Sequence, residues 1–306
     1  MIEINSTKIN PDVIPHLHIW GWEIPIYLFL GGLSAGLLIL SSLQLLIRKE
    51  AAASKTVRIA SLLSPLILGF GMLFLFLDLA NKINVWRFYT AFVPTSPMSW
   101  GSWILIVFMP FSFAQALVLY RDVAQKLPIP GGLLDTLERH LRLIAKINVF
   151  LGVSVGAYTG ILLSSLYARP LWSNSAMGFL FLMSGLSAAA AFLLLIAPGE
   201  EKHLYSKLDF MCIGIEIFAV GLFVIGALNG SANAGNAMVF LLTGPYAQLF
   251  WSVTISIGIV VPFVFEGLEV VGKMKYIPAI PVLVLVGSLS LRFVLVYAGQ
   301  EYPTFS

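Results

Sequence analysis

Few side chains in this sequence could do acid–base or hydrogen-bond chemistry away from water, and most of those sit at the edges of long apolar runs. Glu23 opens the first run, and Asp78 lies near the end of the second, in Leu77-Asp78-Leu79. Tyr158 lies within Gly156-Ala157-Tyr158-Thr159-Gly160, whose small neighbours leave room beside the ring. Arg169-Pro170-Leu171-Trp172 closes that run, and Arg292 falls within the last one. A carboxyl group partly removed from water exchanges protons in a useful range, and a phenol donates a hydrogen bond. Ionisable groups at such depth are costly, so each is a functional candidate by default. Plainer roles stay open: Glu23 as a helix-start carboxylate favoured by the dipole, and Asp78 with Arg292 as an ion pair. Likewise, Tyr158 could pack with its hydroxyl on a backbone carbonyl, and Arg169 and Trp172 could be interfacial anchors.

A polar interruption from Trp86 to Trp103 adds a second set. Its centre, Pro94-Thr95-Ser96-Pro97-Met98-Ser99-Trp100-Gly101, reads as a loop turning into a helix. Ser96 suits the N-cap and Pro97 the first turn, where a missing N–H costs nothing. Thr95, Ser96 and Trp100 are its candidate contacts; the surrounding aromatics also suit a loop that only anchors two helices at the membrane boundary.

The elements that must position these groups are membrane helices. The chain has 306 residues, 58% hydrophobic and 11% charged, with mean hydropathy +0.91. Eight apolar runs are each long enough to cross about 30 Å of hydrocarbon. They fall near 24–47, 57–80, 102–120, 143–165, 176–197, 208–229, 248–268 and 277–299. The expected fold is therefore all-α, an integral membrane protein of eight transmembrane helices. Thirteen of the eighteen lysines and arginines fall in loops after the odd-numbered spans, four fall opposite, and Arg292 is inside. The positive-inside rule then puts both termini outside, in the periplasm, with the rim groups on that same side. No basic tail points to nucleic acid. The polar opening residues make the first span its own uncleaved signal, and the loops 121–142 and 198–207 read as solvated connectors. Ala237–Leu242, between the sixth and seventh spans, reads as a short piece lying on protein or headgroups.

Gly32 and Gly36 give the first span a small-residue face, and Ser184 to Ala190 repeats the theme in the fifth. This is read either as coincidence in small-residue packing or as a duplication that gives two four-helix halves, 23–170 and 171–300, with an external segment 1–22 and a tail 301–306. A further set of polar groups lies deeper: Gln115, Asn148, Glu216 and Glu266, with Asp209 and Glu269 close enough to the cytoplasmic ends to snorkel. Glu216 reads either as a proton relay or as a hydrogen-bonded structural group. His16, His18, His140 and His203 all fall outside the spans, leaving no paired axial ligands for a membrane haem. The single cysteine, Cys212, cannot hold an iron–sulfur cluster and reads as a small buried apolar residue.

Four blocks, in order along nearly the whole chain, resemble the NrfD family, which includes the membrane subunit of polysulfide reductase. They are Trp22-Glu23-Ile24-Pro25-Ile26-Tyr27-Leu28-Phe29-Leu30-Gly31-Gly32, the Pro94–Gly101 loop, Tyr158-Thr159-Gly160 with Arg169-Pro170-Leu171-Trp172, and Arg292 with Ala298-Gly299-Gln300. The resemblance implies a haem-free anchor in a bacterial or archaeal cytoplasmic membrane that binds a quinone, menaquinone or ubiquinone. It also implies a periplasmic four-cluster iron–sulfur partner, with a molybdopterin catalytic subunit or a cytochrome. Tyr158 matches a family tyrosine that contacts quinone, and Tyr27 stands where that relative has a histidine. Asp78 matches a common acid of the second helix. Tyr158, Glu23 and Asp78 are thus expected at the reacting oxygens, with Tyr27, Thr95, Ser96, Trp100, Arg169 and Arg292 holding the cofactor. The rival readings are a secondary transporter, which buried acids and repeated halves also fit, and a purely structural anchor.

Overall fold

The computed structural model describes residues 20–302, apart from Lys49, Ala80, Leu127 and Ile129. The expected external segment up to residue 19, with His16 and His18, and the tail beyond residue 302 lie outside the described residues.

Eight long apolar helices run in chain order: α1 (Glu23–Ile47), α2 (Lys55–Asp78), α3 (Pro97–Leu119), α4 (Leu141–Ser164), α5 (Met177–Ile196), α6 (Gly199–Leu228), α7 (Leu249–Val270) and α8 (Ala279–Glu301). The shortest has 20 residues, about 30 Å at 1.5 Å per residue, enough to cross a bilayer. Most boundaries fall within two residues of those predicted. Two depart further, because hydropathy marks the membrane-buried length and not the length of helix. α3 starts five residues early, at Pro97, in the weakly apolar Pro97–Ser102. α6 starts at Gly199, so 198–207 is not a loop; acidic Glu200 and Glu201 fill its first turn, as the helix dipole favours.

The 121–142 connector is also more ordered than predicted. It contains Arg121–Ala124 and Gly131–Arg139 as short helices, and Arg121 bridges Asp135, at 2.5 Å, and Glu138. The short helix Ala232–Thr243 turns Ala234, Ala237, Met238 and Leu241 inward, so the predicted apolar piece lies on the protein. Within α7 the backbone runs as a π-helix over Leu249–Val260, and Val261 N–H donates to Ser256 five residues back. That widening ends at Pro262, which has no N–H to give.

α1 is the central helix, packed against α2, α4, α5 and α8. α5 is its counterpart, packed against α6, α8, α1 and α4. The two small-residue faces predicted for α1 and α5 meet each other. A Cβ on Gly36 would overlap Gly185 and Ala189, and one on Gly185 would press on Gly32. Without a hydrophobic drive inside lipid, such close backbone approach is what holds helices together.

Both ends of the described chain lie together. Trp20 N–H donates to Gln300 Oε1 at 2.8 Å, and Gln300 Nε2 donates back to the Trp20 carbonyl at 3.2 Å. The clustered lysines and arginines of the odd-numbered connections therefore occupy the opposite, basic end.

Candidate functional site

Three tyrosines converge near the terminal end. Tyr27, on α1, and Tyr158, on α4, are 3% and 8% exposed and lie within electrostatic reach of one another, with Tyr89 beside Tyr27. Tyr158 reaches this position because α3 carries Gly101 there: a Cβ at that position would overlap the phenol ring. Gly71 of α2 packs beside Tyr27, and a Cβ there would press on Leu30 at 3.2 Å while making ordinary contact with the Tyr27 ring at 3.6 Å. Among the described residues neither Tyr27 nor Tyr158 hydroxyl has a hydrogen-bond partner, so the expected bond from Tyr158 to a backbone carbonyl is not formed. Burial raises the phenol of Tyr89, on the short helix Arg87–Thr90, above its ordinary value. Sequence reasoning missed it, since its approach to Tyr27 is tertiary and its own segment reads as a loop.

The Pro94–Gly101 loop meets this corner at Gly101, and it is not fastened by the predicted cap. Ser96 occupies the N-cap position without a side-chain bond. Ser99 does the fastening instead, accepting from Val93 N–H at 3.0 Å and donating to the Ala91 carbonyl at 3.2 Å. Trp100 Nε1 donates to the Pro94 carbonyl at 2.6 Å, and Thr95 is exposed. Glu23 begins α1 one helical turn before Tyr27 and folds its carboxylate back over Gly21, in reach of Tyr297. Asp78 accepts from Gly21 N–H at 3.4 Å, tying the end of α2 to the start of α1.

Both arginines sit elsewhere than expected. No Asp78–Arg292 ion pair exists among the described residues; a position along a helix does not reveal which face it uses. Arg292 is fully buried, donates to Ser184 and to the Ser288 carbonyl and hydroxyl at 2.9 and 2.8 Å, and lies over the Phe181 ring. It belongs to the α5–α8 interior. Arg169 donates to the Gln300 carbonyl at 2.6 Å. Trp172 is no interfacial anchor, being fully buried, bonded to the Leu295 carbonyl at 2.7 Å and stacked on Trp20 at 5.1 Å. Together these two lock the α4–α5 connection onto the end of α8.

Two polar clusters lie toward the basic end. In the first, Gln115 of α3 is a hub: Ser42 and Asn148 donate to its carbonyl oxygen at 2.8 and 2.9 Å. Its amide donates to Ser61 at 2.9 Å and Ser41 at 3.2 Å. In the second, Asp209 of α6 and Glu266 of α7 face each other. Asp209 does not snorkel; it is 0% exposed, because α6 extends ten residues beyond it on the basic side and keeps it inside the bundle. Glu216 is also buried and faces Ser184, Ser187 and Arg292, while Cys212 is only half-buried.

A bundle of eight long apolar helices, with Asp209, Glu216, Glu266 and Arg292 buried inside it, defines a multi-pass protein of the cytoplasmic membrane. The sequence profile described as "Polysulphide reductase, NrfD" matches residues 12–303, and the chain belongs to that family. It is 31% identical to the C component of polysulfide reductase from Wolinella succinogenes, across 93% of this chain and 95% of that protein. It is equally 31% identical to the protein NrfD of Escherichia coli, across 92% and 95%. Similarity extends at 24% identity to an Hdr-like menaquinol oxidoreductase integral membrane subunit of Archaeoglobus fulgidus, across 89% of this chain and 68% of that protein.

Proposed function

We propose that this protein is the quinone- or quinol-binding anchor of a multisubunit respiratory oxidoreductase, built from two four-helix halves, 23–170 and 171–300. The observation that carries the reading is the pair of buried tyrosines, Tyr27 on α1 and Tyr158 on α4, with no hydrogen-bond partner for either hydroxyl among the described residues. Two neutral O–H donors fit the carbonyl oxygens of a quinone, and aromatic Trp22 and Phe74, packed edge to face at 5.8 Å, stand beside the start of α1. When bound, menaquinone or ubiquinone supplies a two-electron, two-proton couple.

Tyr158 donates to one oxygen and stays in place because Gly101 leaves it space. Tyr27 donates from the opposite helix. Glu23, on the same face of α1 one turn toward water, exchanges the proton with the terminal end. Asp78 fixes the start of α1 through Gly21, and the Ser99-fastened loop screens the corner from solvent. Thr95, Ser96 and Trp100 act through that loop. Arg169 and Arg292 act through packing, one at the linker and one at the α5–α8 interface.

Electrons come from outside the chain, since one cysteine and histidines confined to helix ends make no ligand set for a cluster or haem. An iron–sulfur subunit docked at the terminal, periplasmic end supplies them, alongside a molybdopterin subunit or a cytochrome. The names of two relatives, one a component of polysulfide reductase and the other an integral membrane subunit, support membership in such an assembly. The helices α1 and α5 run unbroken, which weighs against a transporter with a midplane site built on broken helices.

Tyr158→Phe in the purified complex tests the reading. Loss of one hydrogen bond worth about 1.4 kcal/mol lowers quinol-linked turnover roughly tenfold, while turnover with a soluble electron donor stays the same. Unchanged quinol kinetics and quinone affinity would overturn it.

A further inference from the structure

The tyrosine site leaves unused the most unusual pair of groups in the molecule. Asp209 and Glu266 are 0% and 1% exposed. Both oxygens of Glu266 and the Oδ2 of Asp209 find no hydrogen-bond donor among the described residues. Ser187 donates to the pair, at 3.1 Å to Asp209 Oδ1. Ionised carboxylates are acceptors only, so two of them face to face in an apolar bundle repel and leave one another unsatisfied. One added proton reverses this: its O–H donates across the pair, and a single negative charge remains.

The groups around the pair form a line. Toward the basic end, Glu269 lies one turn from Glu266 and within reach of Ser206, with His203 and Lys202 beyond. Tyr276 stands beside Glu269, under the Lys202 ammonium at 4.0 Å. Toward the bilayer centre, Ser187 and Ser184 sit one turn apart on α5, and Glu216 faces both. Cys212 lies beside the acids on α6. Arg292 ends the line, its Nε without a described acceptor. From His203 to Glu216 is thirteen residues of helix, roughly 20 Å of rise, about two-thirds of the hydrocarbon thickness.

We propose that Asp209 and Glu266 are a proton-sharing pair, loaded from the basic end through Glu269 and unloaded through Ser187 to Glu216, with Arg292 balancing the charge left on Glu216. Each transfer moves one proton from one carboxyl to the next and leaves the donor ionised. This uptake line is separate from the tyrosines and stands whether or not a quinone binds there. Its far end does approach them: a Cβ on Gly32 of α1 would lie 3.2 Å from Arg292 Nη2, and the neighbouring Gly31 packs on Thr159, next to Tyr158.

Infrared difference spectroscopy on the complex in oriented proteoliposomes reads the pair directly. A pH jump on the basic side is expected to change a protonated-carboxyl C=O band that shifts in deuterated water. Glu266→Gln removes that band, Asp209→Asn moves its frequency by changing its partner, and Glu216→Gln leaves it in place. Glu269→Gln, at a half-buried position that folding tolerates, slows its appearance at least tenfold. A band untouched by both pair variants, or driven only from the terminal side, overturns the proposal. So does a band that forms only when sodium is withdrawn, which would make the pair a cation site.

Discussion

The Gln115 hub and the Asp209–Glu266 pair invite comparison, because both are fully buried polar clusters in the basic half of the bundle. At Gln115 every donor and acceptor of the side chain is used, by residues from three other helices. At the acid pair three carboxylate oxygens have no donor among the described residues. A neutral amide among hydroxyls is content to stay as it is, and such a network holds helices in register. A carboxylate pair is satisfied only by gaining something from outside, here a proton. One cluster is structural and the other is a working part.

The largest effect expected from this contrast is at the hub. Gln115→Leu removes four hydrogen bonds and strands the hydroxyls of Ser42 and Ser61 in a dry interior, while Asn148 keeps the Phe111 carbonyl. Interhelical bonds in membranes average about 0.6 kcal/mol, so a loss of about 2.5 kcal/mol is expected, read as a lowered unfolding midpoint in detergent. No change in stability would remove the hub from the structural side of the comparison.

How much of this was legible in the sequence divides along the same physical line. Apolar length gave all eight helices, since hydrocarbon thickness is a one-dimensional constraint. The two small-residue faces, Gly32/Gly36 and Ser184 to Ala190, were visible, but that they meet each other was not. Tyr158 and Tyr27 were found from small neighbours and from resemblance. Depth along a helix was misleading where facing mattered. Asp209 reads as solvated because it is near the end of an apolar run, yet α6 continues ten residues past it. Arg292 reads as a rim residue, but it turns toward Phe181 and Ser184. Ser96 holds the right backbone position for a cap while Ser99 makes the bonds. Which side chains meet across helices is decided by rotation about each axis, and hydropathy carries no such information.

A smaller effect sharpens the reading of the hub. Ser42→Ala takes away one of the two donors to Gln115 Oε1, but Asn148 continues to supply the other. The expected cost is about 0.6 kcal/mol by the same average, again from the unfolding midpoint. A cost as large as that of Gln115→Leu would mean that the network fails as a unit when any member is lost.

The smallest expected effect is the most discriminating. Asp209→Asn keeps the shape of the side chain and its acceptor for Ser187, and its amide N–H can donate to Glu266. Replacing a poorly satisfied buried charge in this way is commonly neutral or mildly stabilising, so the unfolding midpoint should stay put or rise while the protonated-carboxyl band of Glu266 shifts. A loss near 2.5 kcal/mol, the same figure as four average interhelical bonds, would show instead that Asp209 is held in place by bonds as good as those of Gln115. The two clusters would then be the same kind of object, and the uptake line would lose its first station.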